Sequence, residues 1–441
     1  MTTLQNRAGT NFNIGKFIRE ESFGGFLLIF VTIVALLWAN SGLYDLYHRI
    51  WHEIKFGFSF GDFEMRYSLQ HWINDGLMAT FFFVVGLEIK REVIAGELST
   101  IRKASLPVAA AFGGMLFPAL IYVAFNYNNP QNLSGWGTPM ATDIAFALGM
   151  LSLLGKKINV NLKIFLTALA IADDLGAILV IALFYTETIN ISQLINAGIF
   201  LLIMMGANRL GVRRATFYAI VGLLGVWLSF MFSGIHATIA GVLIALTIPA
   251  RTKVNEEQYV DELCVLVDKF EKAKPNDNAL LTQQQTHLIS KISRLSDDAQ
   301  TPLQKLEHAL HPFTAFFVLP LFAMANAGVH IEGNIMDMLF HPVALGIMAG
   351  LILGKVIGIS LLSRLVVGLK LAVLPAGVTW KHIYGAGLLA GIGFTMSIFI
   401  SGLAFADEEL IRTAKIGIFG ASLISAIAGL LVLNSIRGKQ E

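Results

Sequence analysis

The chain has 441 residues, of which 55% are hydrophobic and only 14% charged, against about 25% charged for an ordinary soluble domain. The charges gather in short strips between long apolar runs, which excludes one large soluble core and marks an all-α polytopic membrane protein. A net charge of +2 without a basic stripe or motif offers nucleic acid nothing to bind, and one cysteine, Cys264, excludes an internal disulfide framework.

Residues 13–25 read as a short interfacial helix ending at Gly24 or Gly25. Arg7, Lys16 and Arg19 precede the first apolar run and imitate a signal sequence, but the run is long and many others follow. An uncleaved first span is expected. A bilayer core about 30 Å thick needs roughly 20 helical residues. Twelve runs are candidates, near 23–40, 75–88, 105–125, 139–154, 163–184, 193–208, 215–232, 234–249, 310–328, 342–363, 382–403 and 412–434. The seventh and eighth are so close that "SFMFSGIHA" must hold a tight turn or a bent pair.

Loop charges test this count. Lys90, Arg91, Arg102 and Lys103 follow the second run, Lys156, Lys157 and Lys163 the fourth, Arg209, Arg213 and Arg214 the sixth, and Arg364, Lys370 and Lys381 the tenth. The intervening loops are poor in Lys and Arg, apart from Arg49, Lys55 and Arg66 in the loop 41–68. The alternation predicts twelve spans with both termini in the cytoplasm. The whole chain, 1–441, then reads as one integral-membrane domain, with a cytoplasmic insertion at 251–309. In that insertion "EEQYVDELCVLVDKFEKA" and "HLISKISRLSDDAQTPLQKLEHAL" are expected as two amphipathic helices, separated by Pro275, Asn276, Asp277 and Asn278. They suit a hairpin or a surface for an unknown partner.

Four ionisable residues fall deep inside candidate spans: Asp143, Asp173, Asp174 and Lys355. Each costs about 2.5–3.5 kcal/mol at the centre of a membrane helix on insertion scales. One Asp–Lys pair would be a structural tie between helices. Two further carboxylates then remain, and that excess calls for something positive from outside the chain. Asp173 and Asp174 point about 100° apart on a helix, so both can border one cavity, one facing a cation and the other Lys355 or water. Thr142 adds a hydroxyl oxygen. Oxygen ligands suit a hard alkali cation, and the chain has neither a thiolate pair nor an HExxH spacing for zinc or copper.

"GWGTPMATDIAFALGMLSLLG", opened by Gly137 and Pro139, reads as a span interrupted at mid-membrane. "GAGLLAGIGFTMSIFISG", with Gly391, Gly393 and Thr395, is a candidate second interruption, although glycines also serve close helix packing. Two broken spans in corresponding positions point to a transporter built from inverted repeats. The expected repeats are spans 3–5 and 10–12, with spans 4 and 11 interrupted. They start seven spans apart, and an odd offset reverses their direction through the membrane.

Desolvation and a like-charged neighbour both favour the protonated form of a carboxyl group, so close carboxylates titrate as a coupled set. A sodium ion favours the charged form and expels protons; protons neutralise the ligands and release the ion. If the cavity opens alternately to each side, the chain is a sodium/proton antiporter, which moves its reactants unchanged and is no enzyme. No nucleotide-binding GxxxxGK[ST] run is present, and no cofactor is called for.

The strings "WINDGLMATFFFVVGLEIKRE", "TPMATDIAFALG", "TALAIADDLGAI", "SGIHATIAGV", "LPLFAMANAGV", "GKVIGI" and "GIGFTMSIFI" occur in order along nearly the whole chain. In them it resembles the bacterial NhaA family of sodium/proton antiporters, outside the insertion near 252–300. The resemblance implies helices 4 and 11 unwound where they cross. It implies Asp174 as the leading sodium ligand, with Asp173 joining the ion's shell and sharing protons with Lys355. Asp143, beside Thr142, and Lys355 would compensate the broken helices' dipole ends. Glu88, Lys90, Arg91 and Glu92 at the cytoplasmic mouth, and His236, would belong to pH sensing. It further implies electrogenic exchange with lithium also accepted, a homodimer with contacts in residues 41–68, and the bacterial inner membrane.

Ordinary roles compete for the weaker positions. Glu88 could be an interfacial anchor, Asp75 an N-cap and His236 a packed helix-end histidine. His308 and His311 are read as marking the membrane edge. Rival functions are a sodium-coupled solute carrier, a cation channel and an intramembrane aspartyl protease. The last would carry a GxGD arrangement, whereas the aspartates here sit in "ATD" and "ADD".

Overall fold

A computed structural model describes residues 14–60, 63–155, 158–186, 189–273, 280–331 and 334–436. Arg7, Lys156, Lys157 and the expected linker Pro275, Asn276, Asp277 and Asn278 lie outside them. The described chain is helical nearly throughout. Helices start where a short polar side chain satisfies the free N–H groups of the first turn. Thr100 Oγ1 accepts from Lys103 N at 3.4 Å, Asn190 Oδ1 from Gln193 N at 3.4 Å and Asp407 Oδ1 from Glu409 N at 2.9 Å.

The principal helices in chain order are α1 (Ile14–Ala39), α2 (Met78–Ala95), α3 (Ile101–Asn126), α4 (Ile144–Ser152), α5 (Val160–Phe184), α6 (Ile191–Arg209), α7 (Ala215–Met231) and α8 (Thr238–Thr247). The insertion supplies α9 (Glu256–Lys272) and α10 (Gln283–Ala299). Then come α11 (Pro302–Asn326), α12 (Pro342–Gly368), α13 (Trp380–Ala390), α14 (Phe394–Ala404) and α15 (Glu408–Ser435). Six of these, α3, α5, α6, α11, α12 and α15, are long and apolar enough to cross a membrane. The bent pairs Phe23–Ala39 with Tyr44–Glu53 and α13 with α14 raise the number to eight. The remaining expected runs are helical but shorter or interrupted. The run at 75–88 begins in a π turn at Trp72–Leu77, and α7 and α8 are parted by a turn with Gly234 at φ +82°.

Three expectations change. No short interfacial helix ends at Gly24 or Gly25, because α1 continues through both to Ala39. A glycine costs a helix only about 1 kcal/mol, which packing of α1 against the backbone of α4 at Gly149 can offset. The chain is also not wholly α. Within 41–68, β1 (Lys55–Phe60) and β2 (Phe63–Ser68) form an antiparallel hairpin, in register from Lys55↔Ser68 to Phe60↔Phe63. Its strings alternate as strands do, a signal weaker than the hydropathy around it. Finally, the second amphipathic segment of the insertion is two helices. It breaks at Gln300–Thr301, where Thr301 Oγ1 caps α11 through Gln304 N at 3.1 Å. The insertion is clasped by Lys253–Asp298 at 2.8 Å, Lys305–Asp297 at 2.7 Å and Arg213 donating to Gln300 O at 2.8 Å.

Close approach of α12 to α3 positions the interior. At Gly354 a Cβ would lie 2.7 Å from Pro118 Cα. Gly350, Gly354 and Gly358 repeat every four residues, which lets backbones meet as small residues do in membrane helix pairs. The π turn Gly350–Gly354 ends at Lys355, and such turns often sit at functional sites.

Candidate functional site: the crossing of two broken helices

Pro139 has no N–H to donate and Gly135 and Gly137 favour irregular backbone. Accordingly residues Ser134–Met140 form a 3-10 turn, Ala141–Asp143 run extended, and α4 starts at Ile144. The second break falls at Gly391–Gly393, where α13 and α14 meet at 48°. Asp143 N donates to Ile392 O at 2.7 Å and Ser397 Oγ to Thr138 O at 2.9 Å, so the breaks satisfy each other's backbone. That answers the demand that polar backbone at membrane depth be paired.

Each buried charge then meets a different partner. Asp143 Oδ1 accepts from Phe146 N at 2.9 Å, and Oδ2 accepts from Thr395 N at 3.1 Å and from the Thr395 hydroxyl. Its carboxylate therefore faces the N-terminal ends of α4 and α14, where helix dipoles favour negative charge. Lys355, fully buried on α12, lies 2.6 Å from Asp173 Oδ2 and donates to Met140 O, at the C-terminal end of the 3-10 turn. Thr142 Oγ1 is within hydrogen-bond distance of both Asp173 Oδ2, at 2.7 Å, and Ala390 O, at 2.8 Å.

Asp174 differs. It is 1% exposed, its Oδ1 has no hydrogen-bond partner, and among the described residues it pairs with no Lys, Arg or His. Asp173 Oδ1 is unpartnered too. Asp174 borders a cavity of about 90 Å³ also lined by Glu88, Asp143, Thr314, His311 and Thr395. A space of that size holds a few water-sized bodies. Buried carboxylate oxygens left open are donors for a hard cation, with Thr142 and Thr395 hydroxyls nearby.

Glu88 thus lies on the cavity, not merely at the interface. Two residues on, Lys90 Nζ donates to Leu246 O at 2.7 Å and to Ile248 O, at the C-terminal end of α8. Arg91 pairs with Glu307 and with Glu92 at 3.0 Å, and Glu92 Oε2 accepts from Glu97 N at 2.9 Å. His236 is not with them. It precedes α8 at the opposite end, its Nε2 2.9 Å from Tyr185 O. Asp75 is no N-cap: it sits inside the Trp72–Leu77 turn, 3.2 Å from His71, and Ser68 caps that helix. His311, expected to mark the membrane edge, is one of the residues lining the cavity, and Glu307, the partner of Arg91, has no signal of its own in the sequence. The regular spacing of the segment around them signals only an amphipathic helix; the pairing joins positions 216 apart.

Residues 15–433 match the family described as Na+/H+ antiporter 1. The chain is 50% identical over 427 residues to the Na(+)/H(+) antiporter NhaA of Oleidesulfovibrio alaskensis, covering 96% of this chain and 94% of that protein. It is 50% identical over 429 residues to the NhaA of Acidithiobacillus ferrooxidans, covering 96% and 98%, and 46% identical over 435 residues to that of Helicobacter pylori, covering 98% of each. Similarity of that extent, over a span that includes both broken helices, makes this chain a member of the NhaA family of Na+/H+ antiporters.

Proposed function

We propose that the chain extrudes Na+, and Li+ as well, in exchange for a larger number of protons, by alternating access in the bacterial inner membrane. The open Oδ1 of Asp174 on a buried cavity, beside a Lys355–Asp173 pair that already balances its own charge, carries this reading. Sodium is held by Asp174, with Asp173 and Thr142 completing its shell as the Lys355 bond loosens. Protons taken up on Asp174 and on the Asp173–Lys355 pair then displace it. Because two such positions load protons against one cation, net charge moves, and the membrane potential contributes about 2.3 kcal/mol per charge per 100 mV. Asp143 stays engaged with the two helix ends and keeps the crossing together.

The reading includes twelve spans, inverted repeats of helices 3–5 and 10–12, cytoplasmic termini and a homodimer joined through residues 41–68. The loop charges and the two matching breaks support it. pH regulation is assigned to Glu88, Lys90, Arg91 and Glu92, whose contacts tie α2 to α8 and α11 beside the cavity mouth; His236 acts from the other end of α8. The chain acts as one domain, without a resident cofactor.

Vesicles carrying the purified protein, given a sodium gradient, test this through internal pH. Sodium-dependent, voltage-sensitive proton movement that saturates with sodium is the expected result. Sodium flux without proton movement would indicate a channel, and flux that needs a third solute would indicate a coupled carrier.

A further inference from the structure

The lipid-facing side of α12 ends in a group that the exchange chemistry leaves unused. Leu353, Ile357, Leu361 and Leu365 recur every four residues and are 46–56% exposed. They form one apolar stripe about 18 Å long at 1.5 Å per residue, close to half the thickness of a bilayer core. At its end Arg364 is exposed and, among the described residues, has no carboxylate within ion-pair distance. Its guanidinium lies instead 5.1 Å from the Trp380 ring centroid and 5.6 Å from that of Tyr384, and it donates to the Tyr384 hydroxyl. The two ring contacts hold the guanidinium in place, and its five N–H donors exceed what the Tyr384 hydroxyl takes up, which suits it to a phosphate.

The surroundings are basic. Ser105 Oγ donates to Leu371 O at 3.1 Å, which brings the start of α3, with Arg102 and Lys103, against the loop bearing Lys370; Lys381 adjoins Trp380. Glu97, close to the start of α3 in the chain, is paired with Lys103 at 3.5 Å. An apolar stripe of half-bilayer length, an aromatic pair at its end and a cation without a counter-ion match one molecule in order: acyl chain, interface, anionic headgroup. We infer that Arg364, Trp380 and Tyr384 form a binding site for the phosphate of an anionic phospholipid, whose acyl chain lies along Leu353–Leu365. A second copy of the chain fits less well, because its apolar face would bring no anion to Arg364.

The test is native mass spectrometry of the full-length protein in mild detergent, with phosphatidylglycerol or phosphatidylcholine of identical chains. The wild type should retain the anionic lipid over the zwitterionic one, and Arg364→Ala should lower that preference about fivefold, the effect of one basic residue at a membrane surface. Arg364→Lys keeps the charge without the forked guanidinium donors and should fall between. Arg364 is exposed, so both variants fold, which their unchanged elution volume would verify. The proposal is overturned if Arg364→Ala leaves the preference unchanged, or if inorganic phosphate displaces the lipid and marks a free-anion site. It is equally overturned if the variant loses a dimer in place of a lipid.

Discussion

Two groups of charge in this chain use the same residue types under different physics. Around Lys355 the charges are fully buried, and three of the four are matched: Lys355 and Asp173 to each other, with a hydroxyl beside them, and Asp143 to two helix ends. Around Arg91 the pair reaches water mainly through Arg91, whose side chain is 39% exposed against 10% for Glu307. In the first group a missing partner leaves a charge in a medium that cannot solvate it. In the second, water and salt absorb most of the loss. On the proposed reading, the contrast separates the residues assigned to exchange from those assigned to its pH regulation. Asp174 belongs to the first group by burial, but it alone among those charges lacks a partner among the described residues.

That comparison can be broken at five places, taken from the largest effect down. Asp174→Asn should remove exchange altogether, at least about 100-fold in vesicle assays, given the dependence of a cation site on its charged ligand. Its thermal stability should stay near that of the wild type, since no chain partner is lost. Lys355→Ala should destabilise by about 3–5 kcal/mol in denaturation, because Asp173 is left uncompensated. The double variant Lys355→Ala/Asp173→Asn should recover much of that loss, and failure to recover would show that the pair is not the unit. Thr395→Val removes one donor to Asp143 and should cost about 1–2 kcal/mol, read as faster hydrogen exchange at the start of α14. Glu307→Gln should shift the pH profile of exchange with little change in maximal rate, and stability should move by no more than about 1 kcal/mol. A fall in maximal rate with the profile unmoved would place Glu307 with the first group. Lys253→Ala, at the exposed clasp of the insertion, should change stability by about 0.5 kcal/mol or less, and 1 M salt should erase the difference.

Much of the crossing was legible in the sequence because burying charge is costly, so Asp143, Asp173, Asp174 and Lys355 stand out inside apolar runs. The breaks were legible for a related reason: Gly137, Pro139, Gly391 and Gly393 interrupt helical backbone. What the sequence could not show was which charge takes which partner. Lys355 to Asp173 spans 182 positions and Thr395 to Asp143 spans 252, and no local pattern encodes either. The place of His311 on the cavity was not legible, because a histidine at the start of an apolar run looks the same whether or not it lines one. The hairpin at 55–68 is hard to see in the sequence because six-residue alternation is a faint signal among runs of twenty. Gly24 and Gly25 misled in the opposite sense, since glycine ends some helices and lets others pack.

The central claim is that one cavity holds either protons or an alkali ion on Asp174 and Asp173. The most direct measurement is calorimetric titration of the purified protein with sodium at a series of pH values, in buffers of different ionisation enthalpy. Competition predicts that each proton released on binding weakens sodium affinity about tenfold per pH unit of acidification. The buffers should register that release, and Asp174→Asn should bind no sodium. Sodium affinity that stays constant across the titration range, with no proton release, would contradict the account.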